Sequence, residues 1–278
     1  MTNADRGGVL IRGPQIGIPA GQKPVRADFT PENVFSQLIE TKGLRVAWSR
    51  AAACPCDPTN SQTRQPDPNC ALCKGRGFLY FRPVNYAVPD NAGILDDLQR
   101  YILEKEQAVI IKGITTSVER TQETYSQIGE WISGSVWVTV RRENHVGHYD
   151  RMVWLDADIP YTEIVIVGED PLAPLGLRYP ATAIELLRTV DRVYEEDSEY
   201  VLNSQGLVEF VPSTVIAAGD RLAVHYLHHP VALVWDHSHI FRQNLNFKKK
   251  RPSEAIAPEG DPLPQPIQVM ARLEYLIK

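Results

Sequence analysis

The chain has 278 residues, 43% of them hydrophobic and 23% charged, enough for one substantial core or two modest ones. Its 29 Lys and Arg stand against 34 Asp and Glu, and the formal net charge of −5 excludes a global field that would draw the molecule to nucleic acid or to an anionic membrane. The opening MTNADRGGVLIRGPQ lacks the apolar stretch of a signal peptide and no run approaches ~18 apolar residues, so a cytosolic origin with no membrane partner is expected, where clustered thiols act as metal ligands or redox groups rather than disulfides.

Residues 1–29 hold several Gly and Pro, short apolar pairs such as Val9 and Leu10, and no sustained period. They predict an extended arm that needs a partner surface to become ordered. The segment 30–107 starts differently, with Thr30 as N-cap, Pro31 at the first helical position and Glu32 in the first turn. Val34, Phe35, Leu38 and Ile39 then share one face and Gly43 closes, which predicts a short amphipathic helix. Residues 44–49 (LRVAWS) read as a strand leading into a cysteine-rich stretch, and 77–82 (GFLYFR) as a strand leading out, so that stretch is expected to cap a strand pair. Residues 91–107 carry Ile94, Leu95, Leu98, Tyr101 and Ile102 at helical spacing and predict a second helix.

Residues 108–247 are β-like, with AVIIKGI, SVWVTVRR, RMVWLD, TEIVIVG, EYVLN, LVEFV, RLAVHYL and VALVWD separated by Gly, Pro, Asp and Asn. The stretch 183–193 (AIELLRTVDRV) suits a helix and a strand equally. Aligning Asp150-Arg151 with Asp220-Arg221 superposes VTVRRENHVGHYDRMVWL on EFVPSTVIAAGDRLAVHY, two hairpin-type units of a barrel or sandwich. The segment 248–278 is a basic, Pro-rich tail that begins with Lys248, Lys249, Lys250 and Arg251, and its final VMARLEYLI is apolar enough to dock as a strand. The expected fold class is mainly β (α+β): antiparallel barrel or sandwich units, a few short helices and extended terminal arms.

All four cysteines of the chain, Cys54, Cys56, Cys70 and Cys73, fall in CPCDPTNSQTRQPDPNCALCKGRG. The spacing C-x-C-x13-C-x2-C joins two close pairs by a loop long enough to turn back, so four sulfurs can surround one ion at about 2.3 Å. Zinc is the natural occupant, in a structural role, because four thiolates fill the shell that a catalytic zinc would leave open. An iron–sulfur cluster is the rival occupant, and four unrelated buried thiols the bland alternative. The glycines after Cys73 allow backbone N–H groups to approach the sulfurs, and Pro55 with the Asp-Pro steps at 57–58 and 67–68 stiffens the loop.

Seven histidines raise a second metal site, with His225, His228 and His229 in RLAVHYLHHP and His237 and His239 in WDHSH; on a strand His225 and His229 would share a face, as would His237 and His239. They lack a carboxylate pattern such as H-E-x-x-H and read as surface or interface groups. No phosphate-binding loop, dinucleotide fingerprint or nucleophile elbow occurs, so neither an enzyme nor a small-molecule substrate is expected. The Lys248 to Arg251 run could touch a phosphate backbone, which leaves incidental DNA contact open; a solvated run ahead of the tail is the simpler reading.

ACPCDPTN…DPNCALCKGRGFLYF, followed by SVWVTVRRENHVGHYDR and by EYVLNSQGLVEFVPSTVIAAGDRLAVHYLHHPV, resembles the neck, or head-to-tail joining, proteins of tailed bacteriophages over roughly residues 45–235. The resemblance implies a non-enzymatic virion protein, assembled in the host cytoplasm, that forms a homo-oligomeric ring against portal, connector or tail neighbours. It carries Cys54, Cys56, Cys70 and Cys73 over as ligands of a structural Zn2+. CALCKGRG is also similar to one repeat of the DnaJ-type zinc region, although no second repeat and no His-Pro-Asp accompany it. The alternative function is a zinc-bearing module that recognises nucleic acid or a protein chain.

Overall fold

A computed structural model describes residues 31–56, 66–117, 134–239, 243–244, 263–264 and 266–277. The arm expected over 1–29, Thr30, the Asp-Pro step at 57–58 and the basic run from Lys248 to Arg251 lie outside the described residues. In chain order the elements are α1 (Pro31–Lys42), β1 (Leu44–Ala53), β2 (Phe78–Phe81), α2 (Asp97–Lys105), β3 (Val109–Ser117), β4 (Ser135–Val140), β5 (Arg151–Trp154), β6 (Ile159–Ile166) and β7 (Ala181–Arg188). There follow β8 (Tyr200–Leu202), β9 (Val208–Phe210), β10 (Arg221–His228), β11 (Val231–His239), β12 (Gln243–Asn244), β13 (Leu263–Pro264), β14 (Ile267–Leu273) and a short 3-10 turn, Glu274–Leu276. The fold is mainly β, as the sequence pattern predicts.

Six antiparallel strands close into a barrel in the order β1-β3-β4-β14-β11-β5, because β1 bonds β3 along one edge and β5 along the other. Closure removes the exposed edges that an open sheet would present. Alternate residues point inward: Val46 and Trp48, Val109 and Ile111, Val138 and Val140, Met152 and Trp154, Ala232 and Val234, Val269 and Ala271 form one buried cluster. This period of two is what the β-branched runs encode. Each buried Val, Ile, Met or Trp contributes roughly 1.5–3 kcal/mol of transfer free energy. Gly113 lies in β3 where a Cβ would meet Val138 Cγ1 at 3.1 Å, so the interior has no room for a side chain there. The C-terminal VMARLEYLI does dock as a strand, β14, and the segments 30–107 and 108–247 both contribute strands to this one barrel.

The outward face of part of the barrel is apolar too. Ala47, Val153 and Leu155 meet Ile102 of α2 and Leu187, Leu222, Val224 and Tyr226 of the three-stranded sheet β6-β10-β7 in a second cluster. The stretch 183–193, open between helix and strand, is strand to Arg188, held along β10, and then turns, with Thr189 N–H donating to Arg192 O at 2.8 Å.

Two expectations about helices change. The helix predicted over 91–107 starts only at Asp97, because the Asp96 side chain caps it by accepting from Gln99 N at 2.7 Å. Upstream, Gly93 has φ +70°, and the Arg45 guanidinium satisfies the carbonyls of Ala92 and Ile94 at 3.3 and 3.2 Å, so Ile94 is left 93% exposed. In α1, Ile39 is fully buried, yet Phe35 and Leu38 on the expected apolar face are exposed.

The echo between Asp150-Arg151 and Asp220-Arg221 is a repeated corner. Asp150 accepts from Gly147 N at 2.6 Å, and Asp220 from Ala217 N at 2.9 Å. The residue before each aspartate is left-handed, Tyr149 at φ 64° and Gly219 at φ 87°. Both corners then bond a neighbouring segment in the same two-bond pattern, through Val234 within β11 and Val167 just after β6. They are not hairpins, because β4 pairs with β3 and β14 rather than β5, and β9 pairs with β8 rather than β10.

Asp150 also accepts from Trp48 Nε1 at 2.8 Å and from Ala51 N at 2.9 Å, tying the corner to β1 from inside the protein. Replacing Asp150 with Ala strands three donors; a loss of about 3 kcal/mol or more is expected in urea unfolding, with Asp150→Asn milder because it keeps one acceptor oxygen. At the other end of β1, burial would raise the Asp156 carboxyl, but bonds from Arg45 N and Nε, both 2.7 Å, outweigh it and hold the group below the usual carboxylate range. This stabilisation is complete above the unfolded-state pKa of about 3.9 and is lost as pH falls through the lower folded value. Acid titration of stability should show that loss in the native protein and not in Asp156→Asn.

Candidate metal centre

The cysteines sit where β1 and β2 end. The ladder of that antiparallel pair, Ala53 opposite Phe78, is extended one step by Cys54 N–H donating to Gly77 O at 2.8 Å. Cys54 and Cys56 leave on the outgoing strand, and Cys70 and Cys73 return on a tight turn, so the cluster does cap a strand pair. The turn is built from local bonds: Asn69 N to Asp67 Oδ1 at 2.9 Å, Cys70 N to Asp67 O at 3.1 Å, Lys74 N to Cys70 O at 2.8 Å and Arg76 N to Cys73 O at 3.0 Å. It needs left-handed backbone, with Lys74 at φ 51° and Gly75 at φ 79°. A Cβ on Gly75 would also lie 3.2 Å from Pro68 Cα, so CALCKGRG requires glycine there for two reasons.

All four Sγ atoms lie within 4.8 Å of one another. Cys54 to Cys70 and Cys56 to Cys73 are each 3.8 Å apart. A tetrahedron with metal–sulfur bonds of about 2.3 Å has edges of about 3.8 Å, so the set matches a single four-coordinate ion. It is far too long for disulfides, whose S–S distance is about 2.05 Å. A multi-iron cluster would hold its thiolates farther apart than this. The cysteines could therefore hold one metal ion, and among the described residues no other group of His, Cys, Asp and Glu is so gathered.

The thiols differ in proton affinity. Burial pushes Cys54 up to about 12, and the other sulfurs add to it. At Cys73 burial acts in the same direction, but a backbone hydrogen bond at Gly77 and the three other sulfurs outweigh it and bring the thiol down to about 7. Cys73 is thus the readier thiolate, and an ion would draw the remaining protons off.

Among the described residues, His225, His228 and His229 have separate partners. His225 is on the outer face of β10, with Nδ1 2.5 Å from Thr162 Oγ1 and Nε2 2.9 Å from Glu185. His228 is fully buried and stacked on Tyr179 at 4.4 Å, and burial lowers its pKa to about 4, which keeps the ring neutral. His229 faces Ala157 O at 3.0 Å. The four-residue spacing of His225 and His229 does not place them on one strand face, because β10 ends at His228. The side chains of His237 and His239 lie outside the described residues. Sequence reasoning missed Tyr179, Arg178 and the Arg151 ion pairs with Glu106 and Glu274 beside the cysteine turn, since nothing in their local spacing sets them apart.

No family model matches the chain, and no curated protein is significantly similar to it in sequence.

Of the described residues in 54–77, Cys73 alone is buried, so this loop has almost no apolar core of its own. Elemental analysis should find about one metal ion per chain, lost in Cys73→Ser. A strong chelator should expose the loop to protease while the far-ultraviolet β signal of the barrel persists, because the two buried clusters are built almost entirely from other segments.

Proposed function

We propose that the protein is a non-enzymatic virion subunit of a tailed bacteriophage, forming a ring in the neck between head or portal and tail, with Zn2+ stapling a loop that contacts a neighbouring subunit. The phage assignment rests on the resemblance of residues 45–235 described above. The staple rests on one observation: four sulfurs within 4.8 Å of one another in a loop that carries Leu72, a large apolar side chain that is 66% exposed. A saturated thiolate shell has no open position for a substrate or an activated water, so the chemistry of such a site is structural. Zinc suits the role because it adds no redox chemistry, and its binding free energy would order a loop without a core.

Leu72 lies between Cys70 and Cys73, where the metal would fix its direction, and Phe81, Val84 and Val88 are further exposed apolar side chains on β2 and just after it. Scattered apolar residues are ordinary on a surface, whereas one held rigidly at a stapled tip gives a neighbour a fixed anchor. In a closed ring each subunit offers two different faces, and terminal segments that order on assembly add contact area.

Light scattering and negative-stain imaging of the metal-loaded protein, alone and with a portal preparation, should reveal rings or attached collars. Leu72→Asp should abolish assembly while metal content and circular dichroism stay unchanged. A protein that stays monomeric in every preparation and never attaches to a portal would sink the reading, and saturable, salt-sensitive DNA binding would favour the nucleic-acid module instead.

A further inference from the structure

Beside the cysteine turn lies a cavity of about 410 Å³, walled by β2, the C-terminal end of α2, the start of β5 and the segment entering β7. Its size falls within the roughly 300–1,000 Å³ of small-molecule pockets. Five of its lining residues are cationic, Lys74, Arg76, Lys105, Arg151 and Arg178, and the lining holds one acid, Glu106. Glu274 reaches Arg151, and lies 4.0 Å from Arg76, from outside the lining; five cations against two carboxylates leave three positive charges, of which four thiolates around a divalent ion, with Cys73 in the lining, would offset two, in a protein whose formal net charge is −5.

Buried polar groups of the lining lack partners. Tyr179, 2% exposed, has no hydrogen-bond partner for its hydroxyl among the described residues. Arg151 Nε and His229 Nε2 are likewise buried without one, although the Arg151 guanidinium ends are paired with Glu106 and Glu274, and His229 Nδ1 lies 3.0 Å from Ala157 O. Leaving a buried donor unpaired costs about 1–3 kcal/mol, so the Tyr179 hydroxyl and Arg151 Nε favour a guest that accepts hydrogen bonds, whereas His229, whose Nδ1–H faces Ala157 O, presents an Nε2 that accepts instead. Arg178 is held in place, with its guanidinium 5.5 Å from the Tyr179 ring and Nη1 donating to Tyr161 Oη at 3.2 Å.

We propose that this cavity binds a small oxyanion, a phosphate or carboxylate group, gripped by the exposed guanidiniums of Arg76 and Arg178 and by the buried hydroxyl of Tyr179. Guanidinium and phenol are donors suited to an anionic oxygen, and charge-assisted bonds of this kind are about twice as strong as neutral ones. The site stands apart from the ring reading; it requires neither assembly nor phage origin. The oxyanion can be a free phosphate or a carboxylate on an acidic protein segment, and two probes separate these sources.

Calorimetry and thermal melts of the metal-loaded full chain, in phosphate-free buffer without excess metal, would use inorganic phosphate and N-acetylglutamate as probes. Saturable binding of either probe, with a raised Tm and an affinity that falls with salt, is expected, and the tighter probe names the source. Arg178→Gln, at an exposed residue, should weaken binding about tenfold or more with the fold intact. Tyr179→Phe should have two opposite effects: a higher Tm without ligand, because an unpaired buried hydroxyl is gone, and a smaller rise when ligand is added. Failure of both probes to bind at millimolar concentration, or binding that neither substitution changes, would overturn the site.

Discussion

The double pairing of β1 is the constraint on which the rest of the structure depends. Its first half bonds β3 on one side and β5 on the other, which closes the barrel, and its second half bonds β2, which carries the chain out to the cysteines. One strand therefore fixes the barrel interior through Val46 and Trp48, the interlayer core through Ala47, and the position of Cys54 at its end. Asp150 and Asp156 lock the two ends of that strand's paired half, one by accepting from Trp48 and Ala51, the other by clamping Arg45. A cysteine loop mounted on such a strand inherits the rigidity of the barrel.

The cysteine loop and the barrel solve different stability problems. The barrel buries alternating β-branched and aromatic side chains and needs nothing further. The loop buries one cysteine and depends on directional bonds, left-handed backbone at Lys74 and Gly75, and the capacity of four thiols to hold an ion. That division is physically sensible for a projecting element, since an apolar core small enough to fit in it could not offset the entropy of ordering the chain. The neighbouring cavity adds a third kind of feature, charged and partly unpaired, at the junction between loop, helix end and second sheet.

Local pattern reaches some elements and misses others for definable reasons. The strands around Val138, Val224 and Val269 are legible because period-two burial is written directly in the chain, and Cys54, Cys56, Cys70 and Cys73 are legible because ligand spacing is a local property. The start of α2 is legible only in part: Ile94 continues the helical period, but the Asp96 cap and the distant Arg45 withdraw the backbone before it. The stretch 183–193 is ambiguous by itself, and pairing with β10 decides it. The aspartate corners at 150 and 220 are visible as an echo, yet their strands find partners far away in sequence, which no local pattern states.

The sequence by itself determined the β-rich class, the four-sulfur set and the absence of a recognisable catalytic motif, because each depends on residue type and short spacing. Only the tertiary structure decided that β1 and β14 complete a closed barrel, that His225, His228 and His229 find separate partners, and that Tyr179, Arg178 and Arg151 gather beside the cysteine turn. Those outcomes depend on contacts between residues tens to hundreds of positions apart, where the free energy of pairing and burial selects among arrangements that local propensity leaves equal.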